Sequence, residues 1–498
     1  MGVAQPRVGT FYYIFDQLGN MYNIKDFGTY SGVTHAVISL QSRGFKWITY
    51  PENTSALIAR PFDPDAPLDS VGIQAALDAA RDGEGGTVVV PAGDYIIGTL
   101  QLWSDVELRL EPGARLWASP ELEHYQDPGR HLIVADNAQN AHISGHGEIH
   151  GQSPNWVIPW LHSNPKSWAE FHNSRPGKMV FFKNCRDVSV SGIKIFDSPN
   201  WTLVFNNCRG VRVDGVTMRH FDAINADGID IVDSQDVTIS NCRLHVTDDA
   251  ICMKSDILAW QQDPSRKGVA NVAITNCVIR TLCNAIKIGT ESLGTFENIT
   301  ASNIVVSNPD HDVKGAESGI NIALCDGGVV HGVSFHNFTM RNVECPFYIV
   351  STPRRLHRPH LDDPAAGKIE GVQISGIFAE KFRYTPFVVG SPSAFIENLT
   401  VRDASLFKGG GFVGSAMDGD VFESGEQYPT PFMFGSPDGG ERGVGDGLPS
   451  YGLYMRDVTN SSVKGYRVML RGGHDVRPMS VFQWCRNVNI NSPDEIQG

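Results

Sequence analysis

The amino-acid sequence predicts an all-β protein, a right-handed parallel β-helix with a short capping helix near its N-terminal end. Two observations carry that reading. From about residue 140, short β-type runs recur, each broken by Gly or Asn at one fixed offset. A second set of runs puts isoleucine in one repeating slot, at Ile229, Ile251, Ile286 and Ile320. A repeating unit of short strands buries its face on the next copy, and the ends of such a solenoid need caps. A propeller blade needs roughly 40 residues or more, and a sandwich gives no reason for a fixed Gly or Asn.

Residues 1–69 read as an N-terminal segment of strands and insertion, rich in aromatics. Residues 70–81 place Ile73, Ala76, Leu77 and Ala80 at helical spacing, and the Gly-rich stretch after them stops the helix. This is the expected cap. Residues 87–97 and 106–118 alternate and are broken by Pro and Gly, as strands are.

The repeat then takes over. Its lead residues are Ala141, Val188, Val211, Val237, Val272, Ile299, Val333 and Val372, with Leu399, Val458 and Val488 as weaker members. Four residues after the first eight come Gly145, Gly192, Gly215, Asn241, Asn276, Asn303, Asn337 and Gly376. Gly and Asn tolerate the left-handed backbone of a tight bend, and stacked Asn side chains can bond along a ladder. From Val188 to Ile299 the leads are 23, 26, 35 and 27 residues apart.

The β-helix domain is therefore expected over 70–498, with long loops at 152–175, 352–368 and 407–450. The first loop holds Trp156, Trp160, Trp168 and Phe171; the second holds Arg354, Arg355 and Arg358. Aromatic loops beside a groove suit sugar stacking, and equally suit packing as lids.

A third strand per coil carries the chemistry. Its members include 227–232 (DGIDIV), 249–254 (DAICMK), 284–289 (NAIKIG) and 318–323 (SGINIA). With the isoleucines inward, alternation sends Asp230, Cys252, Lys287, Asn321 and Tyr348 outward, and Lys254 with them. Adjacent rungs lie about 4.8 Å apart, so Asp227 falls beside Asp249, with Asp248 one residue earlier. Taken alone, an acidic turn needs no function. Three stacked carboxylates repel, however, and one should hold a proton near neutral pH. That supplies an acid and a base in one cleft.

Composition narrows the field. The 498 residues are 41% apolar and 19% charged, ordinary for a globular protein. A net charge of −14 disfavours a nucleic-acid partner. The nine cysteines show no zinc-like spacing and read as buried free thiols. No stretch of about 18 apolar residues suggests a membrane span. The chain as written opens without the apolar core of a signal peptide, which points to the cytoplasm unless a leader has been removed.

The pair NADG (225–228) and DDAICMKS (248–255) resembles the NTD and DD signatures of the polygalacturonases, glycoside hydrolase family 28. Residues 72–120, GHGEIHGQSPNW (145–156) and SPNWTLVFNNC (198–208) are similar to that family's preceding landmarks. The resemblance implies a right-handed β-helix and hydrolysis of a plant-type or pectin-related glycan. It implies Asp248 as general acid, with Asp227 and Asp249 activating water, and hence inversion. It implies no metal and no cofactor. Asn225, Asp230, Lys254, Asn284, Lys287, Glu291 and Asn321 are the residues expected at the substrate.

Two departures matter. The family's Gly-His-Gly motif falls near Cys283-Asn284-Ala285, which has no His, and its Arg-Ile-Lys motif at Gly319-Ile320-Asn321, which has no cation. In the family those cations hold the uronate carboxylate. Unmodified polygalacturonate is therefore expected to be a poor substrate, and a short, branched or partly neutral glycan cut from one end a better one. The competing expectation is that Lys287, Lys254 or the arginines of 352–368 replace the clamp. A lyase using one of those lysines as base, and a non-catalytic carbohydrate-binding β-helix, are the other two readings. The oligomeric state is left open.

Overall fold

A computed structural model describes residues 68–83, 85–157, 168–221, 223–263, 266–309, 315–352, 367–409, 431, 448–471 and 474–491. All but the last two residues of the expected segment 1–69, and most of the 352–368 and 407–450 loops, including Arg354, Arg355 and Arg358, lie outside the described residues.

The chain winds as a right-handed parallel β-helix. Each middle coil contributes three short strands. One coil runs Arg209–Asp214, Thr217–Arg219 and Ile229–Val232; the next runs Gln235–Ser240, Arg243–His245 and Ile251–Lys254. Among the described residues, the first two strands of each coil stack into a 21-stranded sheet, and the third into a 12-stranded sheet. The pairings between coils are parallel and in register. Val188, Val211, Val237, Val272, Ile299, Val333 and Val372 sit directly over one another. One weak member of the repeat is displaced: Ser461, not Val458, pairs with Val488, and the bend of that coil falls at Gly465 (φ 59°).

The bends have the expected backbone. Gly145, Gly192, Gly215 and Gly376 have positive φ, as do Asn241, Asn276, Asn303 and Asn337, at 55–58°. The Asn amides bond from coil to coil: Asn337 donates to Asn303 at 2.7 Å and Asn303 to Asn276 at 3.3 Å. From Thr295 onward the first two strands of each coil merge into one long strand, such as Thr295–Ser307 and Val329–Arg341.

The inward faces form one continuous core along the axis, which includes Ile239, Ile251, Ile286 and Ile320. The Ser70–Asp82 helix closes its N-terminal end through Leu77, with Ile73 and Ala80 partly buried. Ala76, expected on that face, is exposed. Polar residues supply the rest of the contact, with Gln74 accepting from Gln101 N–H and Asp78 from Trp103 Nε1, both at 2.8 Å. The cysteines are free thiols, seven of them buried. Among the described residues no helix is long and apolar enough to cross a membrane.

Candidate active site

The 12-stranded sheet builds the site. Its register is Ile229–Ile251–Ile286–Ile320 in one row and Asp230–Cys252–Lys287–Asn321–Tyr348 in the next. These residues point outward as alternation predicts, yet the outer face is covered. Asp230, Lys254, Lys287, Asn321 and Tyr348 are 0, 4, 7, 1 and 0% exposed. In the later coils a second apolar cluster covers this face, including Tyr348, Tyr384, Phe387 and Tyr454. In the middle coils the face is buried but charged, and there every charge must find a partner.

Those partners are the aspartates. Lys254 Nζ donates to Asp227 Oδ2 at 2.7 Å and lies 2.9 Å from Asp230 Oδ1, off the hydrogen-bonding direction. The same ammonium sits 3.6 Å from the centre of the Trp201 ring, a cation–π contact. Lys287 Nζ donates to Asp249 Oδ2 at 2.8 Å. The other oxygen of Asp249 accepts from Asn284, at 2.7 Å from Nδ2 and 3.2 Å from the backbone N–H. Asn284 is held in turn: its Oδ1 accepts from Ser318 Oγ at 2.7 Å and from Asn321 Nδ2 and Tyr348 Oη at 3.2 Å. Asp248 is half-buried, and its Oδ1 accepts from the Asp249 N–H at 2.8 Å.

These surroundings separate the carboxyls. Burial, then the charges of Asp227 and Asp249, push Asp248 up to about 8. Burial opposes ionisation of Asp249 as well, but the Lys287 and Lys254 ammoniums and the Asn284 bond hold it down at about 2. Burial raises Asp227 despite Lys254, and raises Asp230 further, because the two carboxyls share one ammonium. Lys254 and Lys287 are held protonated, the aspartates outweighing the burial that would discharge them.

The seven residues expected at the substrate thus divide. Asn225 and Glu291 are half-buried at the edge of the site; Asp230, Lys254, Asn284, Lys287 and Asn321 lie in the layer behind the carboxylates. Arg175 is a neighbour that sequence reasoning missed. It is 1% exposed and donates to the Pro199 and Ile224 carbonyls at 2.7 Å and to Asn225 Oδ1 at 3.0 Å, steadying the turn that carries Asp227. Its partners lie far along the chain, so no local motif marks it. Of the aromatic loop residues, Trp156 and Phe171 are buried, as in a packed lid.

Asp248, Asp249 and Cys283 bring donor atoms within 4.8 Å of one another. Both Asp249 oxygens are already engaged and an ammonium stands beside them, which opposes a cation at that point. At the missing clamp, a Cβ on Gly319 would clash with the Met340 sulfur and lie 2.9 Å from the Pro346 carbonyl oxygen. The Met340 side chain belongs to the continuous core, so position 319 faces inward and not the cleft.

Comparison with known proteins follows this geometry. The model of the family "Glycosyl hydrolases family 28" matches residues 82–406. A probable polygalacturonase of Vitis vinifera is 25% identical over 362 residues, covering 65% of this chain and 69% of its own. Among solved structures, the Yersinia enterocolitica family 28 exopolygalacturonase superposes with a TM-score of 0.62 at 16% identity, covering 87% of this chain and 77% of that one. The Thermotoga maritima exopolygalacturonase gives 0.59 at 19% identity, covering 70% and 88%.

Proposed function

The chain belongs to glycosyl hydrolase family 28, and from that premise we propose that it is an inverting, exo-acting hydrolase of a pectin-type glycan, with Asp248 as general acid. The observation that supports this most is the split between neighbours: Asp248 keeps a proton to about pH 8 while Asp249 is ionised above about 2. Pairs pushed apart in this way are how one site runs acid and base chemistry together.

In this reading the Asp248 carboxyl gives its proton to the leaving glycosidic oxygen. A water gives a proton to Asp227 or Asp249 and attacks the anomeric carbon from the opposite face, so the product anomer is inverted. Inverting pairs usually stand roughly 6.5–9.5 Å apart to leave room for that water; Asp248 and Asp249 approach more closely, with oxygens within 4.8 Å. Lys254, Lys287 and Asn284 position the two carboxyls, and Lys287, Lys254 and Asn284 keep Asp249 ionised. Both lysines are held protonated, which argues against the lyase, since neither is a ready base.

Their engagement also bears on the substrate. Lys254 and Lys287 are committed to aspartates, and the place matched to the family's clamp, Gly319 and Asn321, holds no cation. A bare uronate carboxylate buried at that point would be unpaired, which is strongly disfavoured. The residue at the cleaved end is therefore a neutral, esterified or substituted one within a pectin-type chain. Exo action is supported by the names of the structural neighbours.

The test is a set of pectic oligosaccharides, bare and methyl-esterified, with products followed by NMR from the first turnover. One sugar released per event, with inverted anomer and preference for the esterified end, supports the proposal. A retained anomer, an unsaturated product, or efficient random cleavage of polygalacturonate rejects it.

A further inference from the structure

A second surface of the molecule has the chemistry of a glycan-binding site. The outer face of the second strands carries a groove of about 550 Å³. It lies on the other sheet from the carboxylates, joined to them by the short turn between His245 and Asp248.

Two rows of side chains line it, each running along the axis with one residue per coil. In one row Glu148, Lys194, Thr217, Arg243 and Val278 are paired in register. In the other, Phe196, Arg219, His245 and Arg280 are. Members of the two rows are two residues apart in each strand, so they share a face. The cations alternate between rows from coil to coil: Lys194, then Arg219, then Arg243, then Arg280. Coils rise by about 4.8 Å. A linear polyanion along the axis would meet one cation per coil, first on one flank and then on the other.

The groove is electropositive on a chain of net charge −14. Its lining holds four cations and one carboxylate, Glu148, which is already engaged by Lys194 at 3.3 Å and His150 at 3.0 Å. Among the described residues neither Arg219 nor Arg243 forms a salt bridge, and both are exposed. His245, between Arg219 and Arg280, is kept neutral by burial and by those two charges, so it separates the cations without adding to them. Half-buried Phe196 and exposed Val278 supply apolar patches between the charges. Such patches suit the C–H faces of pyranose rings, whereas a polyphosphate has no such faces to lay on them.

We propose that this groove is a second, non-catalytic binding site for a linear polyuronate, holding the acidic stretches of the polymer whose end is cut in the cleft. The identity of the acid sugar rests on the proposed function; the demand for an anionic glycan rests on the groove itself.

The experiment uses the full chain carrying Asp248→Asn, so that polymer is not consumed. Retardation is measured in native gels containing polygalacturonate, fully methyl-esterified galacturonan, or polyglutamate. The double variant Arg219→Gln, Arg243→Gln should bind polygalacturonate at least about tenfold more weakly, with little retardation of either form by the ester or the polypeptide. In the Asp248 background, the same two substitutions should leave kcat and KM on a short oligosaccharide unchanged, which also shows that the variant folds. Equal retardation with and without the arginines overturns the proposal. So does equal retardation by polyglutamate, which would mean a general polyanion surface, or a raised KM on the short oligosaccharide, which would make the groove part of the cleft. Failure of the proposed function reads differently: the wild-type chain would then hydrolyse no pectic oligosaccharide, whatever the gels show.

Discussion

The two sheets are built from the same coils yet bury their strands differently. In the 21-stranded sheet, Gln235–Ser240 alternates, with Val237 and Ile239 inward and Thr238 exposed. One turn of the coil later, Ile251–Lys254 is buried on both faces. An alternating strand needs only one apolar face and tolerates any polar residue on the other. A doubly buried strand must either be apolar throughout or pair each polar group it carries. Here Asp230, Lys254 and Lys287 occupy covered positions that apolar side chains would fill at lower cost. The loss of alternation, coinciding with charge, sets apart the face on which the proposed site lies.

The largest expected difference between the sheets is in turnover. Asp248→Asn should cut kcat by about 10²–10⁴-fold, and Asp227→Asn and Asp249→Asn should be comparably severe. Thr238→Asn, on the exposed face of the other sheet, should change nothing. The same contrast has a pH signature. The Asp248 carboxyl sits above its ordinary 3.8 in the folded protein, at about 8, so the folded state holds that proton more tightly than the unfolded chain. Wild-type stability from this group is present below about pH 4 and is lost as pH rises towards 8. Asp248→Asn escapes the loss, so its Tm should gain on that of the wild type across this window. Activity of the wild type should fall as pH rises through about 8. A constant Tm difference, or near-normal turnover of Asp248→Asn, would remove Asp248 as the acid.

Next in size is the removal of a partner behind the carboxylates. Lys287→Met leaves Asp249 buried without its ammonium, a loss of about 3–5 kcal/mol. The Asp249 carboxyl should rise from about 2, moving the acid limb of the kcat/KM profile upward and lowering kcat. If Lys287 instead clamped substrate, KM would rise for uronates alone, with the profile and the stability unmoved. Those outcomes separate a positioning lysine from a binding one.

On their inward faces the sheets should be equivalent. Ile239 and Ile251 are both fully buried, one in each sheet. Ile239→Ala and Ile251→Ala should each cost about 2–5 kcal/mol, read by denaturant midpoint. A much smaller loss at Ile251 would mean that the charged layer, rather than the core, holds the working sheet in place.

Much of this was legible in the chain. The fixed Gly and Asn offset reports a backbone requirement, left-handed φ, that few residues meet, and the isoleucine slot reports a shared core, so coil register followed from both. The carboxylate cluster followed because Asp227, Asp248 and Asp249 stand at fixed distances from that slot. What lies over the outer face did not follow. Alternation assigns a direction to Lys254 and Lys287 but is silent on what covers them, because cover comes from distant segments, as Trp201 covers Lys254. The half-polar face of the capping helix escaped for the same reason: Asp78 and Gln74 look like surface residues until Trp103 and Gln101 arrive to bond them. The weakest member of the repeat was misplaced because Ser461, a polar residue, fills a slot that valine marks elsewhere.

The smallest expected effect tests the bends that divide one face of a coil from the next. Asn303 is exposed, has φ 56°, and links Asn276 to Asn337. Asn303→Ala puts a Cβ without a compensating polar group into the left-handed region and breaks the ladder, at a cost of about 1–2 kcal/mol. Asn303→Gly also breaks the ladder but fits the backbone, and should cost only about 0.5 kcal/mol, mostly through the greater freedom of the unfolded chain. The difference between the two variants isolates the backbone term from the amide bonds. A Gly variant as unstable as the Ala variant would put the stabilisation in the ladder instead. Neither should alter turnover, because the bend at 303 belongs to the alternating sheet and carries no charge to the site.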